Sequence, residues 1–428
     1  MISIPAVVQF VRPKLPTLRL VVGSIGSLVI GVFAQALAFV LLARFLGTTE
    51  FGHLTTITAV TALANTLCGF GPGEVLRRIV SRDPARYPEA LGHTTLMIVL
   101  TGVGLSVLLI VGLMPFVPVG ADHLERLMIL GLLVPTNVIM PSYLNLVENV
   151  FLARHDFKRA NLINSGAGVV RAIVAAIACL GFGVGSLATW TIWWAACHVA
   201  LVVAGFLAIR HFGKPRWRVL QQEIWLGWHL AWSSFLIMLR HNIDILVLSA
   251  VTSAEFVAVY GAGRRLIGAA LVVPGAFDRV IYGKLAVAGH AGAAASLKLA
   301  RKYLVYSIAI STLTSIGLFV VAPLAPLAFG AAYQEATRVV QVLAWTVVPT
   351  AIQFLAFDAL NAADRHKVSA AVSGVANVIG AAMVVVLGSA FGPVGIYVAL
   401  YSSDIARGTG LWLALQRLAR VEASQKVR

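Results

Sequence analysis

The chain has 428 residues, of which 59% are hydrophobic and 12% are charged, and its mean hydropathy is +0.89. Soluble globular domains carry about 25% charged residues, so this composition excludes a soluble protein and places the chain in a lipid bilayer. The formal net charge of +16 would suggest nucleic acid as the partner of a soluble protein. In a membrane protein, an excess of Lys and Arg is typical of the cytoplasmic loops. We therefore expect no nucleic-acid partner.

About 20 apolar residues cross a bilayer core of roughly 30 Å, and by this measure the sequence predicts an all-α protein with about twelve membrane spans. We expect these spans near residues 20–43, 51–73, 92–115, 127–150, 160–181, 186–208, 228–250, 256–280, 303–325, 338–360, 369–390 and 395–416. The first span follows Arg12, Lys14 and Arg19. Its apolar run of about 24 residues exceeds the core of a signal peptide, so we expect a retained span.

The charges outside these spans indicate the topology. Of the 33 Lys and Arg residues, 24 fall in the predicted inner segments, and the outer loops hold only Arg44, Arg126 and Arg338. Such a bias places both termini in the cytoplasm. The longest predicted outer loop, near residues 116–126, leaves no room for an extracellular domain.

The sequence predicts two six-helix bundles, 1–208 and 228–428, joined by a cytoplasmic loop at 209–227. The two bundles resemble each other at a constant offset of 209 residues, which aligns "FKRANLINSGAGVVRAIVAAIACLGFGVG" (157–185) with "HKVSAAVSGVANVIGAAMVVVLGSAFGPVG" (366–395). With six spans in each half, the halves share one orientation and form a parallel pseudo-two-fold repeat. Parallel repeats are typical of transporters whose substrate site lies between the halves near the bilayer midplane.

Five arginines fall near the middle of predicted spans, where each costs about 2.5–3.5 kcal/mol on insertion scales. They must therefore face protein or water instead of lipid. These arginines are Arg171, Arg240, Arg264, Arg265 and Arg407.

Two interpretations of these arginines stay open. One is internal pairing, because Arg240 with Asp244 (i,i+4) and Asp404 with Arg407 (i,i+3) share helix faces; Asp244 also lies at a depth that could reach Arg264. The other is a water-filled cavity with surplus positive charge. Guanidinium groups bind phosphate oxygens in bidentate fashion and keep their charge when buried, so such a cavity suits a phosphorylated solute.

Two stretches of the sequence resemble a known family, the Wzx-type flippases for polysaccharides and lipid-linked oligosaccharides in the MOP (MATE-like) superfamily. They are "LLARFLGTTEFGHLTTITAVTALANTLCGFGPGEVLRRIV" (41–80) and "RHNIDILVLSAVTSAEFVAVYGAGRRL" (240–266), the second with an Asp in the seventh span and a Tyr followed by Arg-Leu in the eighth. The resemblance implies a flippase that moves an undecaprenyl-diphosphate-linked oligosaccharide across the bacterial cytoplasmic membrane by alternating access, for exopolysaccharide or O-antigen export.

On this interpretation the five central arginines bind the anionic headgroup, and the partners are the lipid-linked glycan, the bilayer and other membrane proteins of polysaccharide assembly. Four acidic residues are candidates for ion coupling to Na⁺ or H⁺, or for salt bridging: Asp244, Asp404, Asp358 and Glu148. We expect no catalytic residues, no metal site and no cofactor beyond such a coupling ion.

Two alternatives belong to other functional classes. A multidrug/cation antiporter of the same superfamily would need an acidic cavity, whereas the predicted one is basic. A membrane-embedded polysaccharide polymerase or ligase would resemble enzymes with a large external loop for catalytic residues, and no predicted outer loop is long enough.

Overall fold

A computed structural model describes residues 15–114, 120 and 122–426 of the chain. This part of the chain is all-helical, as predicted, and contains no β-strand. Arg12, Lys14, Arg428 and much of the predicted outer loop at 116–126 lie outside the described residues. The α-helices are α1 (Leu15–Leu67), α2 (Pro72–Arg82), α3 (Tyr87–Leu113), α4 (His123–Ala153), α5 (Phe157–Ala176), α6 (Leu187–Ile209), α7 (Gln221–Val251), α8 (Ala254–Ala270), α9 (Val272–Gly289), α10 (Ala293–Val321), α11 (Ala325–Phe329), α12 (Ala336–Ala344), α13 (Val347–Ala362) and α14 (His366–Lys426).

Ten helical segments of the described chain are long and apolar enough to cross a membrane. Two of them, Phe33–Arg82 with 50 residues and His366–Ser424 with 59, far exceed the length that one crossing needs. Each contains a glycine whose backbone leaves the helical region: Gly47 with φ 74° and Gly392 with φ 58°. If each crosses twice, the total is twelve, which agrees with the predicted number.

Two predicted spans are each built from two helices. The predicted span 256–280 consists of α8 and α9, and the predicted span 338–360 consists of α12 and α13. Pro274 and Pro349 lie in the first turns of α9 and α13. Proline lacks a backbone N–H and is tolerated only in the first turn of a helix, so these residues favour a new helix start.

One compact unit comprises residues 1–46 and 61–235. Within it, α4 packs against α2, α3, α5 and α6. Asp122 caps α4 by accepting a hydrogen bond from the backbone N–H of Glu125 at 2.8 Å, which satisfies one of the free donors at the helix start. Buried apolar side chains on these helices, including Leu76, Ile98 and Leu130, form the core of this unit.

The other compact unit comprises residues 47–60 and 236–428. Its apolar core lies between α9, α10, α13 and α14, with Leu285, Leu355 and Leu411 fully buried. Small residues let these helices approach closely, as is typical in membranes. A Cβ atom at Gly289 of α9 would lie 1.9 Å from the carbonyl oxygen of Ala362, so only glycine fits there.

The segment 47–60 belongs to this second unit through direct contacts with α8. The hydroxyl of Thr49 donates a hydrogen bond to Glu255 Oε1 at 2.7 Å. A Cβ atom at Gly52 would lie 1.9 Å from the carbonyl oxygen of Ala254. The stretches "TTEFG" (48–52) and "SAEFV" (253–257) therefore lie against each other.

Unusual backbone positions recur at the predicted repeat offset of 209 residues. His155 and Asp364 both have left-handed backbones, with φ 59° and 57°. Gly183 and Gly392 likewise have φ 62° and 58°. Positive φ is uncommon outside glycine, so these coincidences agree with the predicted repeat.

Candidate anion-binding site

The second unit places four of the five predicted arginines on three helices. Arg240 lies on α7, Arg264 and Arg265 lie on α8, and Arg407 lies on α14 after Gly392. The acidic residues Asp244 and Asp404 lie on α7 and α14. Because helical residues four apart share a face, Arg240 and Asp244 project from the same side of α7.

Asp244 is the anchor of Arg264. Its side chain is fully buried, and its Oδ2 atom lies 3.0 Å from Nε of Arg264, whose side chain is 25% exposed. The same carboxylate accepts a hydrogen bond from the hydroxyl of Tyr260 at 2.6 Å. Arg264 also donates to the backbone carbonyl of His241 at 3.1 Å. Asp244 therefore neutralises Arg264 and fixes its orientation.

Asp404 pairs with Arg240 across two helices. The distance from Arg240 Nη2 to Asp404 Oδ1 is 3.0 Å, and the same nitrogen donates to the hydroxyl of Ser403 at 2.6 Å. Gly380 makes room for this arginine, because a Cβ atom there would lie 3.0 Å from Arg240 Nε.

The predicted ion pairs between residues of the same helix are wrong. Neither Arg240 with Asp244 nor Asp404 with Arg407 forms the ion pair; each carboxylate pairs with an arginine on another helix. The physical reason is reach, since a packed neighbouring helix lies 8–10 Å away, within the length of an arginine side chain. The predicted contact of Asp244 with Arg264 is present.

Arg407 and Arg265 lie outside the two ion pairs of the cluster. Arg407 donates to the hydroxyl of Ser373 at 3.4 Å, and its buried Nε finds no acceptor among the described residues. Arg265 follows Arg264 on α8, and its side chain is exposed. The four arginines exceed the two paired carboxylates by two positive charges.

A cavity of about 530 Å³ lies beside this cluster in the second unit. Its wall includes Arg407, Asp278 and Arg279 of α9, and Asp358 of α13. Asp358 was predicted as a coupling or salt-bridging residue, and the structure places it in this wall with Asp278.

The first unit holds the remaining predicted residues, Arg171 and Glu148. Arg171 of α5 is partly buried, its Nε has no acceptor in the described part of the chain, and its charge acts on His198 and Cys197. His198 is buried and contacts the carbonyl of Trp194 through Nδ1 at 3.0 Å. Glu148 accepts a hydrogen bond from Asn164 at 3.2 Å.

Several side chains of the candidate site were not predicted from the sequence. Tyr260, Ser403 and Ser373 hold the charged groups in place, and Asp278 faces the cavity. Tyr260 precedes Arg264 by one helical turn, so its position on the same face was a usable signal. The serines give no such signal, because a hydroxyl in a membrane helix commonly bonds to its own backbone. Among the described residues, no group of three or more His, Cys, Asp or Glu side chains could hold a metal ion.

The fold of the chain is that of solved transporters and flippases. It superposes on "Inward-facing conformation of a multidrug resistance MATE family transporter of the MOP superfamily", with TM-score 0.67, 14% identity, and coverage of 94% of this chain and 99% of that chain. It also matches "Lipid II flippase MurJ, inward closed conformation", with TM-score 0.71, 14% identity, and coverage of 93% and 87%. No curated protein matches the chain by sequence.

The ten helical segments of the described chain that are long and apolar enough to cross a membrane, together with this fold, define a multi-pass membrane protein. A family model described as "Polysaccharide biosynthesis protein" matches residues 21–282. The chain belongs to this family, and the resemblance inferred from the sequence is confirmed.

Proposed function

We propose that the chain is a flippase that moves an undecaprenyl-diphosphate-linked oligosaccharide from the inner to the outer leaflet of the bacterial cytoplasmic membrane. Both termini lie in the cytoplasm on this proposal, and the substrate serves exopolysaccharide or O-antigen export. The observation that carries the proposal is Arg407, which lines the 530 Å³ cavity and keeps a buried Nε without an acceptor in the described chain, in a protein from the polysaccharide biosynthesis family.

The headgroup binds first at Arg407 and Arg265, which lie outside the two ion pairs of the cluster. Arg265 is exposed, and Arg407 keeps a buried Nε without an acceptor in the described chain. Arg264 and Arg240 are held by carboxylates and contribute as oriented second contacts. Arg171 of the first unit stays a predicted headgroup-binding residue. A diphosphate presents several oxygens to planar guanidinium forks, which gives charge-assisted bidentate bonds.

The membrane potential favours outward movement of this headgroup. A charge that crosses 100 mV gains about 2.3 kcal/mol, so a headgroup of about two negative charges gains roughly 4–5 kcal/mol toward the positive side. Transport in the export direction therefore needs little further driving force.

The multidrug antiporter is the second candidate, and the likeness to multidrug MATE transporters supports it. A cationic drug, however, would meet four arginines in the cluster of the second unit, where both carboxylates, Asp244 and Asp404, are already paired; Asp278 and Asp358 lie in the adjoining cavity with Arg279 and Arg407. Like charges in a low-dielectric site repel strongly. The arrangement favours an anionic substrate.

The test is flipping of a lipid-linked oligosaccharide by the purified protein in liposomes. We expect wild-type protein to flip the substrate, and Arg265→Gln combined with Arg407→Gln to reduce the rate at least about tenfold, because each lost charge-assisted bond is worth about 1.5–3 kcal/mol. Arg420→Gln makes the same change at an exposed arginine outside the site and should flip at the wild-type rate. Export of a cationic dye without flipping of the lipid would overturn the proposal and support the antiporter.

A further inference from the structure

Asp278 of α9 is a buried carboxylate without a partner. The residue is 5% exposed. Both side-chain oxygens are buried and accept no hydrogen bond from the residues that the structure describes. Asp244 and Asp404, in contrast, each contact an arginine at 3.0 Å. An ionised carboxylate that lacks donors is strongly disfavoured in an apolar interior, so Asp278 is a group that holds a proton.

Asp358 of α13 is a second carboxylate beside Asp278. Both residues line the 530 Å³ cavity, and the charge of Asp358 acts on Asp278. Two carboxylates in one site of low polarity do not both ionise, and they titrate as a coupled pair. We therefore expect the pair to carry at least one proton.

The cations around this pair do not neutralise it. Among the described residues, no ion pair within 4.0 Å includes Asp278 or Asp358. Apart from the pair itself, the charged or titratable groups on α9 and on the helices packed against it are Arg279, Tyr282 and Lys284 of α9, Glu255, Tyr260, Arg264 and Arg265 of α8, and Lys298, Arg301, Lys302, Tyr303 and Tyr306 of α10; the cavity adds Arg407 of α14.

Several of these groups interact with other partners. Lys284 donates to the hydroxyl of Tyr303 at 3.2 Å, and Arg264 is paired with Asp244. Arg279 is exposed. Arg407 shares the cavity with Arg279 and retains a buried nitrogen without an acceptor in the described chain.

We propose that Asp278 and Asp358 form a proton-binding pair whose protonation strengthens the binding of a diphosphate headgroup at Arg407. This inference rests on the headgroup role given to Arg407 in the proposed function. A proton on the pair removes one negative charge from the wall that Arg407 shares, so the attraction of the cavity for an anion rises. Linkage is reciprocal, and binding of the anion therefore draws a proton onto the pair.

The proton site is tested by infrared spectroscopy of the purified full-length protein at neutral pH. We expect a carbonyl-stretch band of a protonated carboxylic acid, which disappears in Asp278→Asn and shifts in Asp358→Asn. Asp364→Asn changes a carboxylate whose side chain is 93% exposed and should leave the band unchanged. A wild-type spectrum without this band, or a band that persists in both pair variants, overturns the site.

The coupling is tested by calorimetric titration with geranyl diphosphate, a water-soluble prenyl diphosphate, in buffers of different ionisation enthalpy. We expect wild-type protein to take up about one proton more per bound ligand than Asp278→Asn does. Its affinity should also rise by up to about tenfold for each pH unit of acidification, relative to the variant. The variant serves as the control for protons that the ligand itself exchanges, and Asp358→Asn provides a second comparison if Asp278→Asn does not fold.

The two proposals fail separately. If wild-type protein flips the lipid-linked oligosaccharide but takes up no more protons on ligand binding than Asp278→Asn does, the coupling is overturned and the proposed function stands. Wild-type protein that shows the carboxylic acid band but flips no lipid-linked oligosaccharide overturns the proposed function and supports the proton site alone. Absence of geranyl diphosphate binding overturns the coupling at Arg407.

Discussion

The pair of Asp244 and Arg264 allows a quantitative test of how burial sets the strength of an ion pair. Asp244 is fully buried, and the two charged groups lie 3.0 Å apart. Removal of one partner of a buried pair leaves an unpaired charge and costs about 3–5 kcal/mol. We expect Asp244→Asn to lower the free energy of unfolding by about 3 kcal/mol, because Tyr260 still satisfies the new amide while Arg264 loses its counter-charge.

The chain supplies a matched control at the same distance. Arg365 and Glu422 also lie 3.0 Å apart, but the arginine side chain is 44% exposed. An exposed pair contributes about 0–1 kcal/mol, so Glu422→Gln should change stability little. The measurement is reversible denaturation in mixed micelles, with helical circular dichroism as the signal.

A double-variant cycle completes this test. Asp244→Asn combined with Arg264→Gln removes both charges, so the loss should be smaller than the sum of the single losses by at least about 1 kcal/mol. Strictly additive losses, or equal losses for Asp244→Asn and Glu422→Gln, would show that burial of this pair does not govern its contribution.

Two further predictions concern glycines whose space is needed by a neighbour. Gly289→Ala should destabilise the protein by about 1–3 kcal/mol, because its Cβ would lie 1.9 Å from a backbone oxygen of α13, whereas Gly283→Ala on the same helix has nothing within 4 Å and should be neutral or stabilising in thermal unfolding. Gly380→Ala should displace Arg240 and reduce lipid flipping as well as stability, while Gly374→Ala, with open space around it, should reduce neither; equal flipping by both variants would argue against a role for the placement of Arg240.

The helical class and most spans were predictable because hydropathy is a strong local signal in membrane proteins. The predicted span 186–208 differs from α6 by one residue at each end. The joints inside the predicted spans 256–280 and 338–360 were not predicted, although Pro274 and Pro349 mark them. The length of an apolar run predicts the length of a membrane span. A proline marks a new helix start only if the preceding helix ends just before it, and the sequence does not show where that helix ends.

The charged residues of the candidate site were predictable from the sequence, but their ion-pair partners were not. The cost of arginine in lipid identified Arg240, Arg264 and Arg407 without any structure. The ion pair of Arg240 and Asp404 joins positions 164 residues apart in sequence, and that of Arg264 and Asp244 joins α8 to the preceding α7. Sequence spacing describes one helix at a time, so pairing between helices required the fold. The exposed position of Arg265 and the buried position of Asp278 likewise depend on how each helix is rotated.

The segment 47–60 has a consequence for how the polypeptide matures. It is synthesised early, yet its contacts are with Glu255 and Ala254, which leave the ribosome some 200 residues later. A fragment that begins at residue 228 would lack residues 47–60, which are part of the second compact unit. Separately expressed halves should therefore recombine poorly unless the later half is supplied with residues 47–60. In nascent chains halted before residue 254, segment 47–60 should be accessible to protease.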